Sequence, residues 1–286
     1  MNNGTYSYYP GCSLHSTGLE YGLSTQAVFQ HLGLRLVEVP EWNCCGASSA
    51  HALDRQLAAA LPARNLAIAQ SAGYDLIAPC AACFNRIKGA DYLMRTNPQA
   101  RAELEDLIGF QFSGEIAVRP LLAVLREDYG TQRLADQVRK PLEGLKVVPY
   151  YGCLLVRPPH ITQFDDPENP RVMGELLEAA GAQVLPWSYA TECCGGSLSL
   201  SRSGLVKDLV GKLAWHAREA GAEAIVTACP LCQVNLEMRQ AERDKLPIFY
   251  FTELIGLALG IPEAAKWWKK HLIDPRPLLS SLGLAG

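Results

Sequence analysis

Ten cysteines fall into two sets of five with nearly the same spacing, and this pattern restricts the chain more than any other feature. Cys12, Cys44, Cys45, Cys80 and Cys83 form the first set; Cys153, Cys193, Cys194, Cys229 and Cys232 form the second. In each, 34 residues separate an adjacent pair from a C-x2-C pair, and the last four cysteines repeat at a constant offset of 149 residues. The opening gaps differ, 31 residues against 39. Flanking residues repeat as well. Tyr9-Pro10-Gly11-Cys12 is similar to Tyr151-Gly152-Cys153, Asn43-Cys44-Cys45-Gly46 to Glu192-Cys193-Cys194-Gly195, and Leu76–Cys80 to Ile225–Cys229. A duplicated module accounts for all of this.

The apolar patterning predicts the same elements in both copies. A strand runs into the first cysteine of each set, over Tyr6–Tyr9 and Lys146–Tyr151. A helix follows, over Leu19–Leu32 and Arg171–Ala180, closed by Gly33 and Gly181. A second strand, Leu34–Val39 and Gln183–Trp187, leads to the adjacent cysteines. A long helix comes next, near Arg55–Ser71 and Leu205–Ala220, with Pro62 expected to kink or split the first. A third strand, Asp75–Ala78 and Glu223–Ala228, enters the C-x2-C pair, where a last helix begins. Strands alternating with helices imply parallel sheets built from βαβ units. Each cysteine group lies just after a strand, at the sheet edge where α/β proteins place their sites. The expected class is α/β, with two pseudo-symmetric Rossmann-like βαβ modules. Residues 1–95 are the first module, 96–144 a partly helical connector, and 145–286 the second module with a C-terminal tail.

At about 150 residues per domain, 286 residues fit two domains or one large one. Apolar residues make up 49%, enough for a substantial core. Charged residues make up 19%, below the usual ~25%, which points to surface covered by a partner protein. The net charge of −3 argues against a nucleic-acid binder. Met1 to Gly11 is polar and aromatic rather than a signal peptide. The apolar run Leu246–Ile261 is too short and too interrupted to cross a bilayer. Within it, Phe249–Leu259 reads as a buried helix. The expected location is the reducing cytoplasm, where clustered cysteines mean metal or redox chemistry rather than disulfides.

Thiolates bind zinc, copper(I) or iron in sulfide clusters. Structural zinc and an ordinary cubane each take four ligands, so a fifth cysteine per set needs a role. Side chains of adjacent cysteines diverge, which suits a cluster whose irons are spread out. Zinc and disulfides stay open as alternatives on the residues alone. The C-x2-C pairs lie near helix starts, where free N–H groups favour thiolates. Gly11, Gly46, Gly152, Gly195 and Gly196 let the backbone approach sulfur and donate N–H bonds to it.

The repeated CCG pattern resembles the cysteine-rich domain of the B-type subunits of heterodisulfide reductase. The likeness includes Tyr9-Pro10-Gly11-Cys12, both cysteine sets, Leu254–Gly260 and the ending Asp274-Pro275-Arg276-Pro277-Leu278-Leu279. Related iron–sulfur subunits of glycolate and lactate oxidation systems carry ferredoxin-type motifs, and no C-x2-C-x2-C-x3-C run occurs here. The resemblance implies that each set ligates a non-cubane 4Fe-4S cluster: Cys12, Cys44, Cys45, Cys80 and Cys83 the first, Cys153, Cys193, Cys194, Cys229 and Cys232 the second. It implies a disulfide reductase, or its reverse, acting on a small-molecule or protein-bound disulfide or thiol in a pocket between the halves. Electrons would arrive from an iron–sulfur donor resembling the C-type subunits of heterodisulfide reductase, with a flavin subunit. The competing function is an electron-transfer protein relaying to a quinone-linked partner. No catalytic residue beyond the ligands is assigned. His15, His51 and His160 are weighed as proton donors and Arg157 as a carboxylate binder; for each, a capping, packing or salt-bridge role has the greater weight.

Overall fold

The computed structural model describes residues 4–47, 50–241 and 245–284, so Met1 to Asn3 of the opening segment lie outside it. Two four-stranded, all-parallel sheets have the same strand order. In the first, β1 (Thr5–Tyr8) is flanked by β2 (Arg35–Glu38) and β3 (Leu76–Ile77), and β4 (Val118–Arg119) pairs with β3. Helices α1 (Leu19–His31), α2 (Ala50–Leu53), α3 (Arg55–Gln70) and α4 (Ala81–Thr96) connect them. In the second, β5 (Lys146–Tyr150) is flanked by β6 (Gln183–Val184) and β7 (Ala224–Thr227), and β8 (Ile248–Tyr250) pairs with β7. Its helices are α5 (Val172–Ala179), α6 (Ser203–Glu219), α7 (Pro230–Arg239) and α8 (Phe251–Ala258). The two-module α/β reading therefore holds, and six of the eight strands fall where the apolar runs predict them.

The local chemistry explains these elements. Strand residues Val147, Val148, Ile225 and Val226 are fully buried β-branched side chains, as a sheet covered on both faces requires. Asp54 caps α3 by accepting the Leu57 N–H at 2.6 Å. Gly33 and Gly181 close their helices at φ +74° and +91°, conformations that favour glycine. At Gly181 an added Cβ would also meet Pro141 at 2.8 Å. Pro62 sits inside α3 without splitting it.

Two strands differ from expectation. Val118–Arg119, in the segment read as a connector, is the fourth strand of the first sheet. At two residues it is too short for any alternation to show. Ile248–Tyr250 is the fourth strand of the second sheet, so the apolar run is a strand followed by a helix rather than one helix from Phe249. The switch occurs at Tyr250, whose N–H donates to Glu253 Oε2 at 2.8 Å and caps α8.

The modules share one continuous core. Tyr21 of α1 stacks on Tyr250, with centroids 4.3 Å apart and planes 1° from parallel. Such a pair contributes about 0.5–1.5 kcal/mol beyond the area it buries. The Ser24 and Thr252 hydroxyls meet at 2.7 Å. Asn85 Nδ2 donates to the Leu154 and Arg157 carbonyls at 2.9 and 2.8 Å. Because every one of these contacts crosses between modules, their relative placement is fixed, and so is the placement of the two cysteine sets.

Candidate functional site

All ten cysteines are free thiols. Cys80 and Cys229 form the N-caps of α4 and α7, so both C-x2-C pairs do sit at helix starts. Cys45 and Cys83 sulfurs lie 3.2 Å apart, and Cys194 and Cys232 sulfurs 3.6 Å apart. The Cys44 and Cys45 thiols, the Cys153 and Cys193 thiols, and the two thiols of each C-x2-C pair lie close enough to share protons. The Cys80 and Cys229 thiols face each other across the module boundary, close enough to share a proton. These contacts run from Cys44 through Cys45, Cys83, Cys80, Cys229 and Cys232 to Cys194 and so join the two sets, while Cys153 and Cys193 form a separate pair and Cys12 is exposed outside the array. Among the described residues, no three His, Cys, Asp or Glu side chains converge on a single-ion position.

Backbone geometry aims N–H groups at sulfur. Gly46 N–H donates to Cys44 Sγ at 3.4 Å and Gly195 N–H to Cys193 Sγ at 3.3 Å. Gly11 and Gly152 leave room on the other side: an added Cβ would stand 3.0 Å from Cys83 Sγ and 3.2 Å from Cys232 Sγ. These cradles, one per module, fit a bulky inorganic group held by thiolates. The donor chemistry fits as well, since soft thiolates without competing carboxylates select iron–sulfur clusters, zinc or copper(I).

Proton sharing polarises the array. The hydrogen bonds from Cys44 and Cys83 hold Cys45 far below the ordinary thiol range. The bond from Cys153 brings Cys193 down to about 6. Bonds to Cys45 and Cys80, together with burial, push Cys83 up. Each set therefore pairs proton-holding thiols with thiolates that are ready to bind metal.

Three tyrosines frame the array. Tyr9 donates its hydroxyl to the Asn43 carbonyl at 2.8 Å, and Tyr150 donates to the Glu192 carbonyl at 2.7 Å. Each acceptor is the residue before an adjacent cysteine pair. The flanking residues pair Tyr9 with Tyr151 in sequence; the structure makes Tyr150 its counterpart, three residues ahead of the first cysteine in both modules. Tyr151 instead accepts the Met173 N–H. The Tyr21 hydroxyl lies 3.1 Å from the Pro79 carbonyl and 3.4 Å from that of Ala228, the residues preceding Cys80 and Cys229. Its one proton serves one carbonyl at a time.

A cleft of about 250 Å³ opens over the second set. Four of that set's cysteines, Cys153, Cys193, Cys194 and Cys232, line it together with the fifth, Cys229, and none of the first set's do. Its opposite wall comes from the first module, including His51 and Arg86. Of the residues weighed from sequence, His51 alone reaches it. His15 stacks on Trp42 and approaches Glu38, and His160 packs edge-on to Tyr92. Arg157 binds Glu168 at 2.9 Å and Thr191 Oγ1 at 3.0 Å, so its salt-bridge role is the one observed. Arg86 escapes sequence reasoning, because a single arginine on an amphipathic helix carries no signal of its own.

Two pseudo-symmetric modules with matched thiol sets at their strand ends define a duplicated cysteine-rich protein. The family model for the CCG cysteine-rich domain matches residues 6–88 and 147–237, and the chain belongs to that family. Among curated relatives, the 8-methylmenaquinol:fumarate reductase membrane anchor subunit of Wolinella succinogenes is 31% identical, covering 96% of this chain and 98% of its own. A protein of Archaeoglobus profundus named as like the B subunit of heterodisulfide reductase is 28% identical over 89% of this chain and 90% of its own. The B subunit of a ferredoxin:CoB-CoM heterodisulfide reductase of Methanosarcina mazei is 27% identical over 89% of both. A crystal structure of a hypothetical protein from Helicobacter pylori shares the fold, with TM-score 0.75 at 12% identity; it covers 95% of this chain, which spans 52% of that one.

Proposed function

We propose that this chain is the iron–sulfur catalytic subunit of a heterodisulfide reductase-like complex, reducing a disulfide or forming one from thiols. In this reading Cys12, Cys44, Cys45, Cys80 and Cys83 hold one non-cubane 4Fe-4S cluster. Cys153, Cys193, Cys194, Cys229 and Cys232 hold the other. Such clusters, when bound, supply single electrons and iron that accepts sulfur. The chain's own residues do the rest. Gly11 and Gly152 leave space, Gly46 and Gly195 donate N–H bonds to sulfur, and His51 presents an imidazole to the cleft.

The observation that carries the reading is the cleft over the second set, because a relay needs no room for a ligand beside its metal. The relatives named for the heterodisulfide reductase B subunit support it. All ten cysteines are used in the two sets, leaving none for further clusters. Electrons therefore come from a donor resembling the C-type subunits of heterodisulfide reductase, with a flavin subunit. The ten free thiols suit a reducing cytoplasm.

A second reading, relay to a quinone-linked partner, is favoured by the Wolinella succinogenes relative, matched over 98% of its length. Among the described residues, no helix is long and apolar enough to cross a membrane. The two readings separate in a single-turnover experiment. The pre-reduced, cluster-loaded chain is mixed with 3,3′-dithiodipropionate or with a menaquinone analogue. Catalysis at the cleft predicts reoxidation by the disulfide with two thiols released per disulfide, since its cleavage takes two electrons. Reoxidation by the quinone alone would overturn it.

A further inference from the structure

The first module contributes to the cleft a cation that pairs with no carboxylate among the described residues. Arg86 lies on α4, three residues after Cys83, and lines the cleft opposite the second set's thiols. Its Nε is buried and has no hydrogen-bond partner. No carboxylate among the described residues pairs with its guanidinium. By contrast Arg119 binds Glu127 and Asp128, and Arg157 binds Glu168. Arginine stays charged at any working pH, and leaving its donors unmade in a half-buried site costs free energy unless a ligand completes them. Sharing α4 with Cys83, Arg86 stands close to the first set while lining the cleft over the second.

Near neighbours set the shape of the site. Ala81 and Ala82 give the first-module wall small side chains, and Leu154 and Leu231 add apolar surface on the other side. The cleft therefore has a thiol-lined wall, a short apolar floor and one open guanidinium. A planar guanidinium matches a carboxylate bidentately, and that match is worth more where water is excluded.

We infer that the cleft binds a small thiol or disulfide bearing a carboxylate, with Arg86 holding the carboxylate while sulfur faces the second cysteine set. The inference rests on the proposed thiol–disulfide function and adds to it a substrate class and an assignment of labour. The first module positions the ligand and the second meets its sulfur.

The test is a spectroscopic titration, not an activity assay. The cluster-loaded chain, prepared without oxygen, is titrated with 3-mercaptopropionate and with its uncharged amide, following visible absorption and electron paramagnetic resonance. The native chain should bind the carboxylate probe at least about tenfold more tightly than the amide. Arg86→Gln should abolish that preference while leaving the affinity for the amide within about twofold, and Arg86→Lys should retain part of it. Iron and sulfide content of each variant is measured alongside. If Arg86→Gln loses its clusters, the comparison of Arg86→Lys with the native chain decides, since a lysine cannot reproduce the bidentate match. Equal affinity for both probes in the native chain would overturn the assignment of Arg86 and leave the thiol–disulfide reading standing. No spectral response to either probe would overturn both.

Discussion

Tyr150 occupies in the second module the place that Tyr9 occupies in the first, and each hydroxyl donates to the carbonyl that precedes an adjacent cysteine pair, at 2.7 and 2.8 Å. Burial, reinforced by the neighbouring thiols, raises both phenols far above the ordinary tyrosine value, so both remain donors. The pair acts as two matched clamps on the two turns that present Cys44-Cys45 and Cys193-Cys194.

Removing one clamp should loosen one set and spare the other. Tyr150→Phe costs about 1 kcal/mol of local stability by leaving the Glu192 carbonyl unpaired. The expected outcome is faster loss of about half the iron to a chelator, and Tyr9→Phe should do the same for the other half. Iron release that stays uniform in both variants would contradict the clamp.

The glycine cradles give a sharper contrast. Gly11 and Gly152 have φ of +66° and +64°, and an added Cβ would press on Cys83 and Cys232 sulfurs. Alanine at either position loses about 1–2 kcal/mol to the left-handed backbone before any clash is counted. Each substitution should halve the iron bound per chain. Gly89, inside α4 with open space around its Cβ position, is the control. Gly89→Ala should leave iron content unchanged and stability equal or slightly higher. Iron analysis together with a denaturant melt checks all three.

A buried ion cluster predicts the pH response. His271 bridges Glu237 at 2.9 Å and Glu253 at 3.0 Å, with its side chain fully buried. Burial opposes a charge there, but the Glu253 carboxylate and the two hydrogen bonds outweigh it and push the His271 pKa from 6.5 up to about 11. Because the folded value is raised, the stabilisation is complete below pH 6.5 and fades as pH rises through about 11. Glu20, packed nearby, is pushed up to about 7, chiefly by burial; its protonated form favours the fold, and that contribution is lost between pH 4.5 and 7. His271→Gln breaks the buried pairs and should cost about 3–5 kcal/mol near neutrality. The gap between native and variant stability, from denaturant melts, should narrow steadily from pH 7 towards 11. A constant gap would mean that His271 is neutral in the fold.

Much of the architecture is legible in the chain because the duplication writes it twice. Runs such as residues 147–150 and Ala224–Thr227 are mostly apolar and fully buried, and a glycine lies shortly before each, so their strand character shows in the residues themselves. Val118–Arg119 gains its strand pairing from β3, a tertiary contact that two residues cannot encode. Ile248–Tyr250 merges in sequence with the helix it precedes because both are uniformly apolar and lack a change of period. The thiol sets stand out through spacing, whereas Arg86 gains its meaning only from the wall it faces. The sequence displaces the Tyr9–Tyr150 equivalence by one position because Tyr151 lies closer to its cysteine. The side-chain direction that alternates along a strand puts Tyr150 on the thiol side.

Whether each five-thiol set holds its own four-iron cluster is tested most directly by iron and acid-labile sulfide per chain, measured on protein purified without oxygen. The expected result is about eight of each, two four-iron clusters per chain. About four of each would leave one set without its cluster and contradict the two-site account, and zinc without colour would contradict the redox reading altogether.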